Sequence, residues 1–210
     1  MSNPALIVIG TSAGGVSALI TLLGGLPKDL DAPVCIAHHA NPTRPSMLPD
    51  ILSRLGTLTV APFQSGAQLI PGHLFLAPSG HHLLIEGKQV IVLTRPSQQP
   101  RNDIDRLFQS AASSYGSRLI AVVLTGSLTD GTAGLQTVKQ HGGITIIQDP
   151  EEAAFPSMPR SAQAHCTIDY CLPLAHIALL LPRLIGGVAS RYPTGGVNQD
   201  AGLPSHHRFL

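Results

Sequence analysis

Short apolar runs alternate with stretches of helical period along most of the 210-residue chain. Ala5–Ile9 is an unbroken apolar run, Gly10–Gly15 is a glycine-rich turn, and Val16, Leu19, Ile20 and Leu23 then recur at helical spacing. That pattern predicts strand, turn and helix. The next run, Val34–Ala37, ends in His38, His39 and a proline-rich loop, after which Ser46–Leu55 reads as a helix interrupted early by Pro49. Between Thr57 and Thr94 the rhythm changes. Leu74–Leu76, Leu83–Ile85 and Val90–Leu93 are separated by Pro-Gly, Pro-Ser-Gly and Glu-Gly-Lys, which predicts a small antiparallel β-hairpin section. Ile104, Leu107, Phe108 and Ala111 mark a helix over 103–115. Strand–helix alternation then resumes: strand Leu119–Leu124, loop Thr125–Gly131, helix Gly134–Gln140 and strand Ile144–Gln148. A loop to Pro159, a short helix Arg160–His165, an extended Thr167–Tyr170 and an apolar helix Leu174–Leu184 complete the pattern.

Repeated strand–helix units predict an α/β fold, a doubly wound and mostly parallel sheet with helices on both faces. Residues 1–185 form one expected domain, and 186–210, which lack periodicity, predict a poorly ordered C-terminal tail. Open parallel sheets bind ligands beyond the carboxyl ends of their strands. Chemistry is therefore expected in the loops after Ile9, Ala37, Leu124 and Gln148.

Composition acts by exclusion. Charged residues make up 12% of the chain and the net charge is +1, against about 25% charged in an ordinary domain. Neither a nucleic-acid clamp nor a disordered acidic chain looks like this. Hydrophobic residues reach 43% without any tryptophan, so the expected core is aliphatic. Cys35, Cys166 and Cys171 are too few for a disulfide framework and fit a reducing compartment. The start of the chain has no basic leader segment, and no run approaches the roughly 18 apolar residues of a membrane span. Cytoplasmic location without membrane insertion is the expectation.

Three of the loops carry the parts of a nucleophilic site. Gly10-Thr11-Ser12-Ala13-Gly14 matches G-x-S-x-G between a strand and a helix, a turn that thrusts a serine hydroxyl outward. The same turn also fits two other uses, a serine that caps the next helix and a glycine loop that cradles phosphate. The dinucleotide pattern fails here, because Ser12 stands at its middle glycine and the second strand ends in histidine where a ribose-binding acid is needed. A serine nucleophile needs a base, and His38 or His39 at the next strand end supplies one. Asp130, in Val122–Gly131, supplies a carboxylate to orient the imidazole, or else an N-cap for the helix that follows. The order Ser, His, Asp departs from the Ser, Asp, His of α/β-hydrolases.

These residues resemble the catalytic domain of the chemotaxis protein-glutamate methylesterase (CheB) family. The resemblance spans about Leu6 to Leu184 and rests on VIGTSAGG (8–15), IAHH (36–39), IPGHLFLAP (70–78), VLTGSLTDG (123–131) and FPSMPRSA (155–162), all in order. It implies Ser12 as nucleophile, His39 as general base and Asp130 as the orienting carboxylate. Counting back from IPGHLFLAP selects His39, whereas counting forward from Ser12 selects His38; an extra residue in Lys28–Pro33 reconciles the two in favour of His39. The family's Thr after the nucleophile is Ala13 here, and its TGMGNDG is TGSLTDG, with Ser127 at the methionine whose amide is assigned to the oxyanion hole.

The resemblance further implies hydrolysis of glutamate γ-methyl esters on the cytoplasmic helices of chemoreceptors, with receptor-glutamine deamidation open to the same parts. It admits a receptor methyltransferase or histidine kinase as a further partner and implies no cofactor. It also implies a stand-alone catalytic domain, because few residues precede the first strand where the family commonly carries a receiver domain. The altered Asp130 loop keeps a rival open, a catalytically degenerate domain that only binds a receptor or methyltransferase. Arg160, and Arg101 near Asp105, are candidate contacts for acidic groups on a receptor. His73, His81 and His82 fall in the hairpin section, where exposure is expected. His165, Cys166, Cys171 and His176 match no usual zinc spacing.

Overall fold

Leu6–Thr11 (β1) is buried along its whole length. In a computed structural model, which describes residues 5–39, 46–96 and 101–189, it is the middle strand of a seven-stranded sheet. The other strands are Val34–His38 (β2), Thr59–Val60 (β3), His73–Leu76 (β4), Leu119–Val123 (β7), Ile144–Gln148 (β8) and Tyr170–Leu172 (β9). Their order is β3-β4-β2-β1-β7-β8-β9, and every neighbouring pair is parallel. His81–Glu86 (β5) and Gln89–Thr94 (β6) form a separate antiparallel ribbon.

Among the described residues six α-helices cover the sheet: Gly15–Gly24 (α1), Leu48–Leu55 (α2), Asp103–Tyr115 (α3), Thr132–Gln140 (α4), Ser157–His165 (α5) and Leu174–Ala189 (α6). β1 alternates between two cores, as a strand of period two must when both faces are covered. Ile7 and Ile9 pack with Leu19, Leu22 and Leu23 of α1, Leu52 of α2 and Ile177 and Leu181 of α6. Leu6 and Val8 pack with Ile104, Leu107 and Phe108 of α3, Leu135 of α4, Met158 of α5 and Leu83, Ile85 and Val90 of the ribbon. The doubly wound expectation therefore holds.

Three local readings need correction. Leu74–Leu76 belongs to the main sheet, paired in parallel with β2, so only β5 and β6 make the antiparallel section. A three-residue run between turn signals does not encode its partner's direction. Pro49 does not interrupt α2 but sits in its first turn, where its missing N–H costs no helical bond. The strand after α5 is Tyr170–Leu172, later than the predicted Thr167–Tyr170. At the C-terminal end, α6 continues to Ala189, past the predicted boundary at 185; the rest of the expected tail, 190–210, lies outside the described residues.

β1 is where the chain reverses its winding, with β2 on one side and β7 on the other. The carboxyl ends of β1, β2 and β7 all open onto this switch point, where α/β sheets bind their ligands.

Candidate active site

Ser12 follows β1 directly. It does not cap α1: the N-cap is Gly14, at φ 75°, and no side chain caps that helix. The Ser12 hydroxyl has no hydrogen bond among the described residues. Ser12, Ala13, His38 and His39 instead line one open depression, together with the first residues of α1. The turn is packed from behind by Gly126, where an added Cβ would collide with Met158 and come within 2.9 Å of the Ser12 Cβ. Only glycine leaves room for the two loops to meet there.

The two histidines separate cleanly. His39 Nε2 donates to Asp130 Oδ2 at 2.7 Å, and its backbone N–H is held by the Thr11 carbonyl at 3.2 Å. His38 has no such partner, and its Nδ1 is buried without a hydrogen bond. Burial, reinforced by the neighbouring His39, pushes the His38 imidazole toward its neutral form, and the nearby Thr11 backbone offsets part of this. The geometry thus pairs His39, not His38, with the carboxylate.

Asp130 does not serve as the cap of its own helix, where Gly131 takes that position. Its carboxylate reaches across to α3, accepting from the Ile104 N–H at 3.1 Å and the Asp105 N–H at 3.0 Å. A helix N-terminus leaves such amides unpaired and favours negative charge. Asp105 returns the favour: its Oδ1 accepts from the Gly131 N–H at 3.0 Å and the Gly134 N–H at 2.6 Å at the start of α4. Two helix starts are therefore cross-capped, and the exchange fixes the carboxylate that holds His39. Burial pushes the Asp105 carboxyl up to about 6, the Gly134 and Gly131 amides oppose this, and the nearby Asp130 charge adds to it.

Thr125 ties the remaining loops together. Its carbonyl accepts from the Ser12 N–H at 3.1 Å and the Thr11 hydroxyl at 2.9 Å. Its hydroxyl accepts from the Phe155 N–H at 2.8 Å and donates to the Ala13 carbonyl at 3.1 Å. Its own N–H goes to Gln148 Oε1 at 2.9 Å. The amides of Ala13, next to Ser12 in the chain, and of Ser127, next to the Gly126 that packs against Ser12, donate to nothing among the described residues. Free N–H groups beside a nucleophile are what a developing oxyanion requires.

The CheB methylesterase family profile matches residues 7–181. The chain belongs to the CheB methylesterase family. A protein-glutamate methylesterase/protein-glutamine glutaminase of Geobacillus kaustophilus is 37% identical over 188 residues, 87% of this chain and 54% of that protein. A Leptospira interrogans protein provisionally named for the same two activities is 36% identical over 180 residues, 85% of this chain and 93% of its own length. The crystal structure of the Thermotoga maritima CheB methylesterase catalytic domain superposes with a TM-score of 0.80 at 32% identity, covering 88% of this chain and all of that one.

Within the family frame, the altered loop is the informative departure. Leu128 replaces a glycine of the TGMGNDG pattern yet keeps a left-handed backbone, with φ 69° and its side chain exposed. Such a conformation costs a leucine roughly 1–2 kcal/mol. The loop nevertheless delivers Asp130 to His39, which removes the motive for the degenerate, binding-only reading. The candidate receptor contacts fare differently. Arg160 is exposed and pairs with Glu151 at 3.1 Å, and Arg101 is exposed without an ion pair among the described residues. His82, expected on the surface, is fully buried, because its ribbon packs against α3. Asp103, Asp105, Thr125 and Gln148 went unassigned by sequence reasoning, since their partners lie far away along the chain.

Proposed function

We propose that the chain is a serine esterase that hydrolyses glutamate γ-methyl esters on the cytoplasmic signalling helices of chemoreceptors. The observation that carries this reading is the His39–Asp130 bond of 2.7 Å at the rim of the depression shared with Ser12. Because Nε2 is committed to Asp130, Nδ1 is the nitrogen left to take the Ser12 proton, the reverse of the mounting in chymotrypsin-like triads. The unlinked serine is compatible with this, since catalytic hydrogen bonds tighten in the substrate complex.

Ser12 Oγ attacks the ester carbonyl as His39 accepts its proton, and the tetrahedral oxyanion turns toward the free amides of Ala13 and Ser127. The C–OCH3 bond breaks, His39 returns the proton and methanol leaves. Water, deprotonated by His39, then cleaves the glutamyl ester of Ser12 and restores the serine. A glutamine side chain enters the same sequence with ammonia as leaving group, which matches the paired activities in the relatives' names. No cofactor is needed for either reaction. The reading assigns the work to the cytoplasm, with a receptor methyltransferase or histidine kinase as a neighbour in the same assembly. Among the described residues no helix is long and apolar enough to cross a membrane.

The test is methanol and ammonia release from methylated and from amidated receptor by the wild type and by Ser12→Ala. Turnover by the wild type that disappears in the folded variant is expected. Full activity in Ser12→Ala would refute the reading.

A further inference from the structure

His39 faces two carboxylates. Beyond Asp130, the Oδ2 of Asp103 lies 3.8 Å from His39 Nε2. Asp103 opens α3 and is buried. The same Oδ2 accepts from Arg95 NH1 at 2.9 Å. On its other oxygen, Oδ1, the Nδ1 of His82 sits 2.5 Å away. A second buried carboxylate beside Asp130 is costly unless something answers its charge.

We propose that Asp103 is a second anionic positioning residue for His39, with its pull on the imidazole set by Arg95, which shares the same carboxylate oxygen. The proposal rests on reading His39 as the base. With the imidazole neutral, Asp130, Asp103 and Arg95 leave the pocket one negative charge in excess. When His39 takes the Ser12 proton, that excess is cancelled. The imidazolium thus meets negative charge fixed in advance on the side away from Ser12, while the negative charge left on the serine oxygen and the developing oxyanion falls to the backbone amides. Of the other groups around this pair, Asp105 on α3 lies against Asp130, Arg106 on α3 acts on His82, and His38 on β2 is held toward neutrality by burial. His82 on β5 is held neutral chiefly by burial; Asp103 pulls the other way, while Arg106 and Arg95 oppose a further positive charge.

Charge sign gives a test that a packing role does not mimic. The His39 imidazole is titrated by NMR in the wild type, in Asp103→Asn and in Arg95→Gln, beside the pH profile of methanol release. Asp103→Asn is expected to move the His39 midpoint and the acid limb of kcat/KM to lower pH by about one unit, and to cut kcat at neutral pH about tenfold. Arg95→Gln, which frees Asp103 to act at full strength, is expected to move both to higher pH. A midpoint unmoved in Asp103→Asn, or displaced in the same direction by both substitutions, would overturn the proposal. Because the titration is read from the imidazole itself, it decides the coupling independently of whether His39→Ala abolishes turnover, so the two readings fail separately.

Discussion

The two faces of the central sheet are built differently. On the side of α1, α2 and α6 the buried side chains are hydrocarbon: Leu19, Leu22 and Leu23, Leu48 and Leu52, Ile177 and Leu181. On the other side α3 buries Phe108 and Leu107 but also Asp103, and it receives the carboxylate of Asp130 on its first amides. One face supplies non-directional burial, which tolerates small shifts. The other fixes angles, because each charge there is answered by a named donor. The base proposed at His39 calls for the second kind of wall, and that is the wall behind it.

Three substitutions probe this division, in decreasing order of effect. Asp130→Asn strikes the polar face: turnover should fall by roughly 10^3–10^4 through loss of the imidazolium partner, and stability by about 1–2 kcal/mol as an α3 amide loses its acceptor. Steady-state kinetics beside thermal unfolding would check both. Leu19→Ala strikes the hydrocarbon face, and chemical denaturation should show a loss of about 2–5 kcal/mol, with kcat of the folded fraction unchanged. A large drop in kcat would erase the distinction between the faces. Asp105→Asn is the mildest. The folded Asp105 holds a proton up to about 6, against the ordinary value of 3.8, so between those pH values the folded chain binds more protons than the unfolded one. Stability therefore falls as pH rises through that window. The asparagine retains an oxygen for the Gly131 and Gly134 amides, so the substitution should flatten this slope while leaving activity near neutral pH within a few fold.

The hydrocarbon face was the legible one. Apolar periodicity placed α1, α6 and the buried strands, because their partners are any apolar surface at the right spacing. Ser12, the His38-His39 pair and Asp130 were legible for another reason: each follows a buried strand, and parallel strands bring such ends together; the choice of His39 within the pair rested on the family resemblance. What escaped was pairing that depends on tertiary position. Asp105 and Asp130 exchange helix caps across 25 residues, and nothing local distinguishes either from an ordinary first-turn acid. His82 was misjudged because a two-strand ribbon looks exposed until α3 covers it. The direction of β4 was hidden for the same reason, since turn residues mark an end and not a partner.

The most direct test of the Ser12–His39 assignment is trapping with a serine-directed phosphonate, followed by peptide mass spectrometry, in the wild type, His39→Ala and His38→Ala. An adduct on Ser12 that forms at least a hundredfold more slowly in His39→Ala than in His38→Ala is the expected result. An adduct on another residue, or slow labelling in His38→Ala with normal labelling in His39→Ala, would contradict it.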